Sequence, residues 1–231
     1  MFDSIFITSN HDGGFYMKIE VWSDFVCPFC YIGKRRLEQV IDTLPFKNEI
    51  EVSFKSFELD PNVETDYSVS IEESLAKKYG TSLEQIRQMN ENVINLAKSV
   101  GLNYNFDNMS PTNTFKAHRL AKFAETKGKL GELTERLLRA HFIESKRIDE
   151  NEVLIELAKE VGLDQEEAKQ VLENNWFAED VRKDEREAQS IGVRGVPFFV
   201  LNRKYAISGA QGENVFKNAL VKVWKEENHI E

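Results

Sequence analysis

Both cysteines of this 231-residue chain lie in one tetrapeptide, Cys27-Pro28-Phe29-Cys30. Residues 18–22, just before it, alternate polar and apolar side chains as a half-buried strand does. Residues 31–41, just after it, carry apolar side chains at helical spacing. Pro28 suits the first turn of a helix, where its missing N–H would have no intrahelical acceptor. The sequence therefore predicts that Cys27 sits where a strand ends and a helix begins.

This position predicts redox chemistry at the cysteine pair. Unpaired backbone N–H groups at a helix N-terminus favour a negative charge, and the thiolate is the form of cysteine that attacks disulfides. We therefore expect Cys27 to be the nucleophile. Cys30 lies within reach and is expected to be less exposed, so it is the candidate resolving thiol. Pro28 and Phe29 carry no charge, which leaves the helix end to stabilise the thiolate. A redox-active Cys27–Cys30 disulfide is expected, with no tightly bound cofactor.

The main alternative for the cysteine pair is half of a zinc site. Such a site needs two further Cys or His ligands at suitable spacing. The four histidines are scattered along the chain and form no closely spaced pair: His11, His118, His141 and His229. The sequence favours a redox pair over a metal site, and no metal is predicted.

Composition narrows the class of protein and its partners. The net charge is −9 and the 30 basic residues form no basic run, which argues against nucleic acid as the main partner. The longest apolar runs, such as residues 196–201, are far too short to span a membrane. We expect a soluble globular protein without nucleic-acid or membrane partners.

The N-terminal residues bear on location. Residues 1–16 lack the cationic start of a signal peptide, and a single pair of cysteines fits a reducing compartment, so a cytoplasmic location is expected. The codons for Gly13 and Gly14 can form the purine-rich sequence GGAGG, which positions a bacterial ribosome, and they lie just upstream of Met17. One hypothesis is that translation starts at Met17, with residues 1–16 not native; the other is an ordinary flexible N-terminal tail.

The order of predicted elements indicates the fold class. Residues 50–57 alternate as a second strand, and strand, helix and strand together make a βαβ unit with parallel strands. Residues 61–190 are helical in pattern, and Asp149 and Asp164 each open a predicted helix with a glutamate three residues later. Strand, turn and strand over 197–208 precede a helix over 213–224.

We therefore predict an α/β chain with a thioredoxin-like fold, βαβ plus ββα, interrupted by an all-helical insertion. The predicted boundaries are an N-terminal extension at 1–16, a thioredoxin-like domain formed by 17–60 and 191–231, and an insertion at 61–190.

Three stretches carry a resemblance to a known family: residues 22–34 (WSDFVCPFCYIGK), Asn113-Thr114 with residues 117–120 (AHRL), and residues 192–199 (GVRGVPFF). They resemble the DsbA-like thioredoxin superfamily, in particular its FrnE-type branch, which includes relatives of 2-hydroxychromene-2-carboxylate isomerase. The match spans nearly all of residues 17–224. The resemblance implies a protein dithiol-disulfide oxidoreductase or isomerase.

The resemblance also assigns residues around the pair. It gives Pro197 the place of a cis-proline against the cysteines, and it makes Val196 a substrate-binding residue through its backbone N–H and C=O. The isomerases and kappa-type glutathione transferases usually carry Ser in place of Cys27, so two cysteines favour thiol-disulfide exchange. Phe29 replaces the histidine of DsbA, which predicts a reduction potential of about −200 to −270 mV.

Further candidates surround the motif. Trp22, Phe25 and Phe29 would form an apolar substrate-binding collar, although Trp22 is equally suited to the core. Gln211, in the turn before the last helix, would receive a substrate carboxylate as in glutathione-binding relatives, or belong to a turn and helix cap.

Three polar residues are accessory candidates. Asp24 would either accept the proton of the buried cysteine or, the favoured alternative, cap its own loop. His118 would be a buried, paired histidine or a substrate contact. The resemblance implies that the helix from Asn113 faces the active edge of the sheet.

Three functions remain open from the sequence. The first is a thiol-disulfide oxidoreductase acting on a disulfide-containing protein or a small thiol, recycled by an unidentified redox partner. The second is an isomerase or transferase that uses glutathione as co-substrate on a small aromatic or polyketide-like compound, with its pocket in the helical insertion. The third is a noncatalytic adaptor that grips a peptide and has unreactive cysteines.

Overall fold

The computed structural model describes residues 17–230. Within this range the chain forms four strands, β1 Met17–Ser23, β2 Ile50–Ser56, β3 Phe198–Leu201 and β4 Tyr205–Ser208. The α-helices of the same range are α1 Pro28–Asp42, α2 Ile71–Tyr79, α3 Leu83–Lys98, α4 Phe115–Thr126, α5 Leu130–Phe142, α6 Asn151–Glu160, α7 Gln165–Glu173, α8 Ala178–Ser190 and α9 Glu213–Glu227. The proposed extension at residues 1–16, and with it the choice of start at Met17, lies outside the described residues.

The strands form one mixed sheet in the order β2-β1-β3-β4. Strand β1 runs parallel to β2 and antiparallel to β3, and β3 pairs antiparallel with β4. Val21 lies opposite Phe54 on one side and Phe199 on the other. The predicted α/β fold, with βαβ at the start and ββα at the end, is confirmed.

The two faces of the sheet are covered by helices from different parts of the chain. Helices α1 and α9 cover one face, where Val21 and Phe199 pack with Leu37 and Phe216. Trp22 points to the opposite face, because neighbouring residues of a strand alternate sides, and it packs there with Ala188, Val193 and Val200. Helix α8, which lies within the segment 61–190, therefore forms a layer on the sheet.

The other helices of that segment build a second core. Its buried side chains come mainly from α3 to α7. Phe25, from the loop between β1 and α1, and Tyr31 and Ile32, from the start of α1, join this core. Leu37 and Ile41, later in α1, belong to the sheet core instead. Helix α1, which begins directly after Cys27 and contains Cys30, is therefore shared by both cores.

One of the two predicted helix starts is confirmed. The Asp164 carboxylate caps α7 by accepting from the Glu167 N–H at 2.8 Å. The start predicted at Asp149 is wrong, because α6 begins two residues later with Glu150 at an N-cap that makes no side-chain bond. The Asp149 carboxylate accepts from the Tyr67 hydroxyl instead.

None of the helices formed by residues 17–230 is both long and apolar enough to cross a membrane.

Candidate functional site

Cys27 occupies the N-cap of α1, at the end of the loop that follows β1. Its backbone is extended, with φ −90° and ψ 110°, and Pro28 takes the first helical position. The Cys30 N–H donates to the Cys27 carbonyl at 3.0 Å, and the Cys27 N–H donates to the Asp24 carbonyl at 3.2 Å. Both cysteines are thiols in this structure. The strand-to-helix junction predicted from the sequence thus fixes the backbone of the pair.

The two cysteine residues have almost the same exposure, 3% for Cys27 and 2% for Cys30, so the expected lower exposure of Cys30 is not seen at the level of whole residues. Their surroundings differ instead. Burial, together with a hydrogen bond to Cys27 and the negative charge that Cys27 can carry, raises the pKa of the Cys30 thiol well above its ordinary value. Cys30 is therefore held as a neutral thiol beside Cys27.

The loop before β3 lies against Cys27. The Val196–Pro197 peptide bond is cis, and the Cys27 thiol donates to the Val196 carbonyl with 3.4 Å between Sγ and O. The Val196 N–H donates to no group among the described residues. Gly33 lets α1 approach this loop, because a Cβ at that position would lie 3.1 Å from both Pro197 Cγ and Phe199 Cζ. The geometry brings Val196 and Pro197 to the redox pair and leaves one backbone donor available there.

Asp24 does not cap its own loop, so the favoured expectation for it is wrong. Its Oδ2 accepts from the Leu59 N–H at 2.8 Å, and its Oδ1 lies 3.2 Å from His118 Nε2. The Asp24 N–H donates to Cys30 Sγ at 3.5 Å. The reason is tertiary: the segment after β2 and helix α4 bring a backbone donor and a histidine to a buried carboxylate.

His118 is buried, and its ring lies 4.7 Å from that of Phe25. This burial and the contact with Asp24 match the alternative of a buried, paired histidine. The Asp24 and His118 side chains are buried next to each other, and Asp24 contacts Cys30 through its backbone N–H.

Of the three side chains expected to form an apolar collar, only Phe29 is exposed. Trp22 is fully buried, and its indole N–H donates to the Asp184 carbonyl at 3.0 Å. Phe25 is buried in the helical core. The assignment of both residues to substrate binding is therefore wrong, because helices α8 and α4 cover them. Phe29 is 42% exposed. Leu59, whose N–H donates to Asp24 Oδ2, is 44% exposed, and no sequence pattern marked it.

Asn113 and Gln211 make local bonds. Asn113 Oδ1 accepts from the Phe115 N–H at 3.0 Å at the start of α4, and its amide donates to the Val63 carbonyl at 3.3 Å. The Gln211 amide donates to the Ser208 carbonyl at 2.8 Å. The simpler alternative for Gln211, a turn before the last helix, matches this geometry.

Tyr104 is a site residue that the sequence did not indicate. It lies in the loop between α3 and α4, and its hydroxyl donates to the Pro28 carbonyl, between the two cysteines, at 2.7 Å. No motif marks a tyrosine in a loop 76 residues away from its partner.

A cavity of about 340 Å³ opens in the helical segment. Its lining comes from residues 67–70, 107–110, 112, 141 and 145–147, and it includes neither cysteine. Within residues 17–230 no three His, Cys, Asp or Glu side chains are grouped so that they could hold a metal ion.

Comparison with known proteins places the chain in a family. A model of the DSBA-like thioredoxin domain matches residues 18–221. The uncharacterized protein YwbO of Bacillus subtilis (strain 168) is 31% identical over 206 residues, covering 88% of this chain and 96% of YwbO. The crystal structure of a probable DsbA oxidoreductase from Streptomyces coelicolor is similar with a TM-score of 0.87 at 39% identity, covering 91% of each chain.

A more distant structure has the same fold. The cytosolic disulfide reductase DsbM of Pseudomonas aeruginosa, solved with GSH, aligns with a TM-score of 0.64 at 18% identity, covering 90% of this chain and 99% of DsbM. The predicted resemblance to DsbA-like proteins is confirmed by these matches, and with it the expectation of an oxidoreductase. The chain belongs to the family of DSBA-like thioredoxin domains.

Proposed function

We propose that the protein is a thiol-disulfide oxidoreductase and disulfide isomerase in which Cys27 attacks the substrate and Cys30 releases it. The observation that carries this proposal is the position of Cys27 at the N-cap of α1, with its sulfur against the Val196 carbonyl. Backbone N–H groups at the helix start favour a thiolate there. Val196 supplies a backbone edge for an extended substrate strand.

The reaction balances over two steps. The Cys27 thiolate attacks one sulfur of a substrate disulfide, forming a mixed disulfide while the other substrate sulfur leaves as a thiolate. Cys30 then loses its proton and attacks Cys27 Sγ, so that the Cys27–Cys30 disulfide forms and the first substrate sulfur leaves. The substrate gains two electrons and the cysteine pair loses two. A redox partner returns the pair to the dithiol, and in the reverse direction the oxidised pair introduces a disulfide.

The proton of Cys30 needs an acceptor because its thiol is buried. The Asp24 N–H donates to Cys30 Sγ at 3.5 Å, and the buried Asp24 carboxylate lies 3.2 Å from Nε2 of the buried His118. Carboxylate and imidazole groups both act as general bases in enzymes. We assign this pair as the proton acceptor in the resolving step.

The surface around Cys27 indicates the kind of substrate. The exposed side chains of Phe29 and Leu59 are apolar, and Phe29 lies between the cysteines. The unpaired Val196 N–H suits the backbone of an extended peptide. These features support a protein disulfide or a small disulfide with an apolar portion as the substrate. The similarity to DsbM, a cytosolic disulfide reductase, supports a cytoplasmic location as part of the proposal.

A second candidate function is the glutathione-dependent isomerase or transferase. The cavity in the helical segment favours it, since such an enzyme needs space for a small compound. GSH is bound in the structure of DsbM, and glutathione is in either case a candidate small-thiol substrate. Turnover that requires glutathione while both cysteines stay reduced would support this second function.

Insulin reduction by the full chain tests the first proposal. We expect Cys27→Ser to abolish turnover, whereas Cys30→Ser should accumulate a mixed disulfide with the substrate, detected by its mass. Full insulin reductase activity of Cys27→Ser would disprove the assignment of the nucleophile. Wild-type cysteines that resist iodoacetamide at neutral pH would point to the adaptor instead.

A further inference from the structure

The helical segment touches the redox tetrapeptide through one directional contact from Tyr104. The hydroxyl of this residue donates to the Pro28 carbonyl at 2.7 Å. The Tyr104 side chain is buried, and its ring stacks on Tyr31, with 6.1 Å between centroids, and on Phe142, with 4.8 Å. The stacking fixes the ring, so the hydroxyl is held on the Pro28 carbonyl.

The Pro28 carbonyl belongs to the same peptide group as the Phe29 N–H. With Cys27 at the N-cap, Phe29 occupies the second helical position, whose N–H commonly binds an N-cap side chain. Pro28 has no N–H, and the Cys30 N–H donates to the Cys27 carbonyl. The Phe29 N–H donates to no described group. It is therefore a backbone donor at the first turn of α1 that is available to a Cys27 thiolate.

A hydrogen bond to a carbonyl polarises its amide and strengthens the N–H on the other side. The Tyr104 bond to Pro28 therefore makes the Phe29 N–H a better donor toward Cys27. Burial, followed by the negative charges of Tyr31, Cys27 and Cys30, raises the pKa of the Tyr104 hydroxyl. The hydroxyl consequently remains a donor at neutral pH, whichever cysteine is ionised.

We propose that Tyr104 is a positioning residue that stabilises the Cys27 thiolate through the Pro28–Phe29 peptide and so sets the reduction potential of the cysteine pair. This inference rests on the proposed redox function. Loss of the hydroxyl weakens the stabilisation of the dithiol state and leaves the disulfide state unaffected. The variant without it should therefore hold its disulfide more tightly than the wild type.

The test compares the full-length Tyr104→Phe variant with the wild type in glutathione redox buffers. The fraction of the Cys27–Cys30 disulfide is measured by alkylation and mass spectrometry. We expect the equilibrium constant with glutathione to shift about threefold toward the disulfide, which corresponds to about 14 mV at 29.6 mV per tenfold. Alkylation of Cys27 by iodoacetamide at pH 7 should slow by a similar factor.

Tyr67→Phe is the control, since the Tyr67 hydroxyl lies on Asp149 in the same helical segment. It should leave both measurements at their wild-type values. A Tyr104→Phe protein with a lower melting temperature but a wild-type equilibrium constant would show that the contact is only structural and would overturn the inference. A wild-type protein that forms no Cys27–Cys30 disulfide in any buffer would overturn the proposed function itself, and the two failures are thus distinguishable.

Discussion

Cys27 and Cys30 differ in chemistry because of the groups that touch them. Cys27 lies at the helix start against the Val196 carbonyl, where backbone N–H groups are available. Cys30 accepts from the Asp24 N–H, and burial and the neighbouring Cys27 raise its pKa. These different surroundings support the proposed roles of Cys27 in attack and of Cys30 in release, with no charged residue between the two cysteines.

Another residue with an altered ionisation is His141, near the end of α5. Its side chain is 4% exposed, and its ring lies edge-on to Phe142 with 4.8 Å between centroids. Burial lowers the pKa of His141 to about 4, and the charges of Asp24 and Asp149 oppose this shift only in part. The folded protein therefore keeps this imidazole neutral.

The His141 environment makes stability depend on pH. In the unfolded chain the imidazole titrates near pH 6.5, so between about pH 6.5 and 4 the unfolded state binds a proton that the folded state does not. The contribution of the neutral His141 to folding stability is fully present above about pH 6.5 and is lost as the pH falls toward 4. We expect His141→Gln to reduce the difference in unfolding free energy between pH 7 and 4.5 by about 2–3 kcal/mol, measured with urea.

His229→Gln, at an exposed position after α9, is the control and should keep the wild-type pH dependence. An unchanged pH dependence in the His141→Gln protein would contradict the role assigned to burial.

At the level of elements, Arg119 gives a structural role to residues 117–120, one of the stretches that resemble the DsbA-like family. It lies on α4, and its guanidinium donates to the carbonyls of Val171 at 2.8 Å, Leu172 at 3.1 Å and Trp176 at 3.3 Å. The last carbonyls of a helix have no intrahelical donor. Arg119 therefore caps the C-terminal end of α7 from a neighbouring helix.

Replacement of Arg119 by methionine removes these bonds while keeping much of the apolar stem. Each hydrogen bond to a charged group contributes about 1.5–3 kcal/mol, and a buried carbonyl without a donor is unfavourable. We expect Arg119→Met to lower the free energy of unfolding by about 2–4 kcal/mol in urea titrations. Arg139→Met, on the exposed surface of α5, is the matched control and should change it by less than about 1 kcal/mol. Equal effects of the two substitutions would refute the capping role.

At the level of the whole molecule, Asp184 joins three elements behind the sheet. This α8 carboxylate accepts from the Ser56 N–H of β2 at 2.9 Å and pairs with Lys122 of α4 at 2.5 Å. Lys55 of β2 approaches it at 3.5 Å. Both Asp184 and Lys122 are buried. Asp184 therefore connects β2 of the sheet with α4 and α8 of the helical segment.

Removing the charge of Asp184 should destabilise the whole fold, because it leaves a buried ammonium group without its main partner. We expect Asp184→Asn to lower the free energy of unfolding by about 3–5 kcal/mol. Trp22 fluorescence is a suitable probe in urea, since its indole donates to the backbone carbonyl of residue 184, which the substitution retains. Asp180→Asn, on the exposed part of α8, should have little effect. A wild-type unfolding midpoint for Asp184→Asn would show that the pair is not needed for stability.

Local pattern determined much of this protein. The alternation before Cys27 and the helical spacing after it placed the redox pair at a strand-to-helix junction, and Pro28 located the first turn. The strands were also predicted correctly from the sequence, because a strand with one buried face shows alternating apolar residues wherever it packs. The order of these elements was sufficient to predict a thioredoxin-like α/β fold.

The tertiary structure decided which side chains surround the sulfurs. Trp22 and Phe25 are apolar, as residues of a substrate-binding surface often are, but α8 and α4 cover them. The sequence alone does not tell which helix packs on which face of the sheet. Asp24 meets His118 across 94 residues, and Tyr104 meets Pro28 across 76. Contacts at such separations leave no local pattern, since they depend on how whole elements pack.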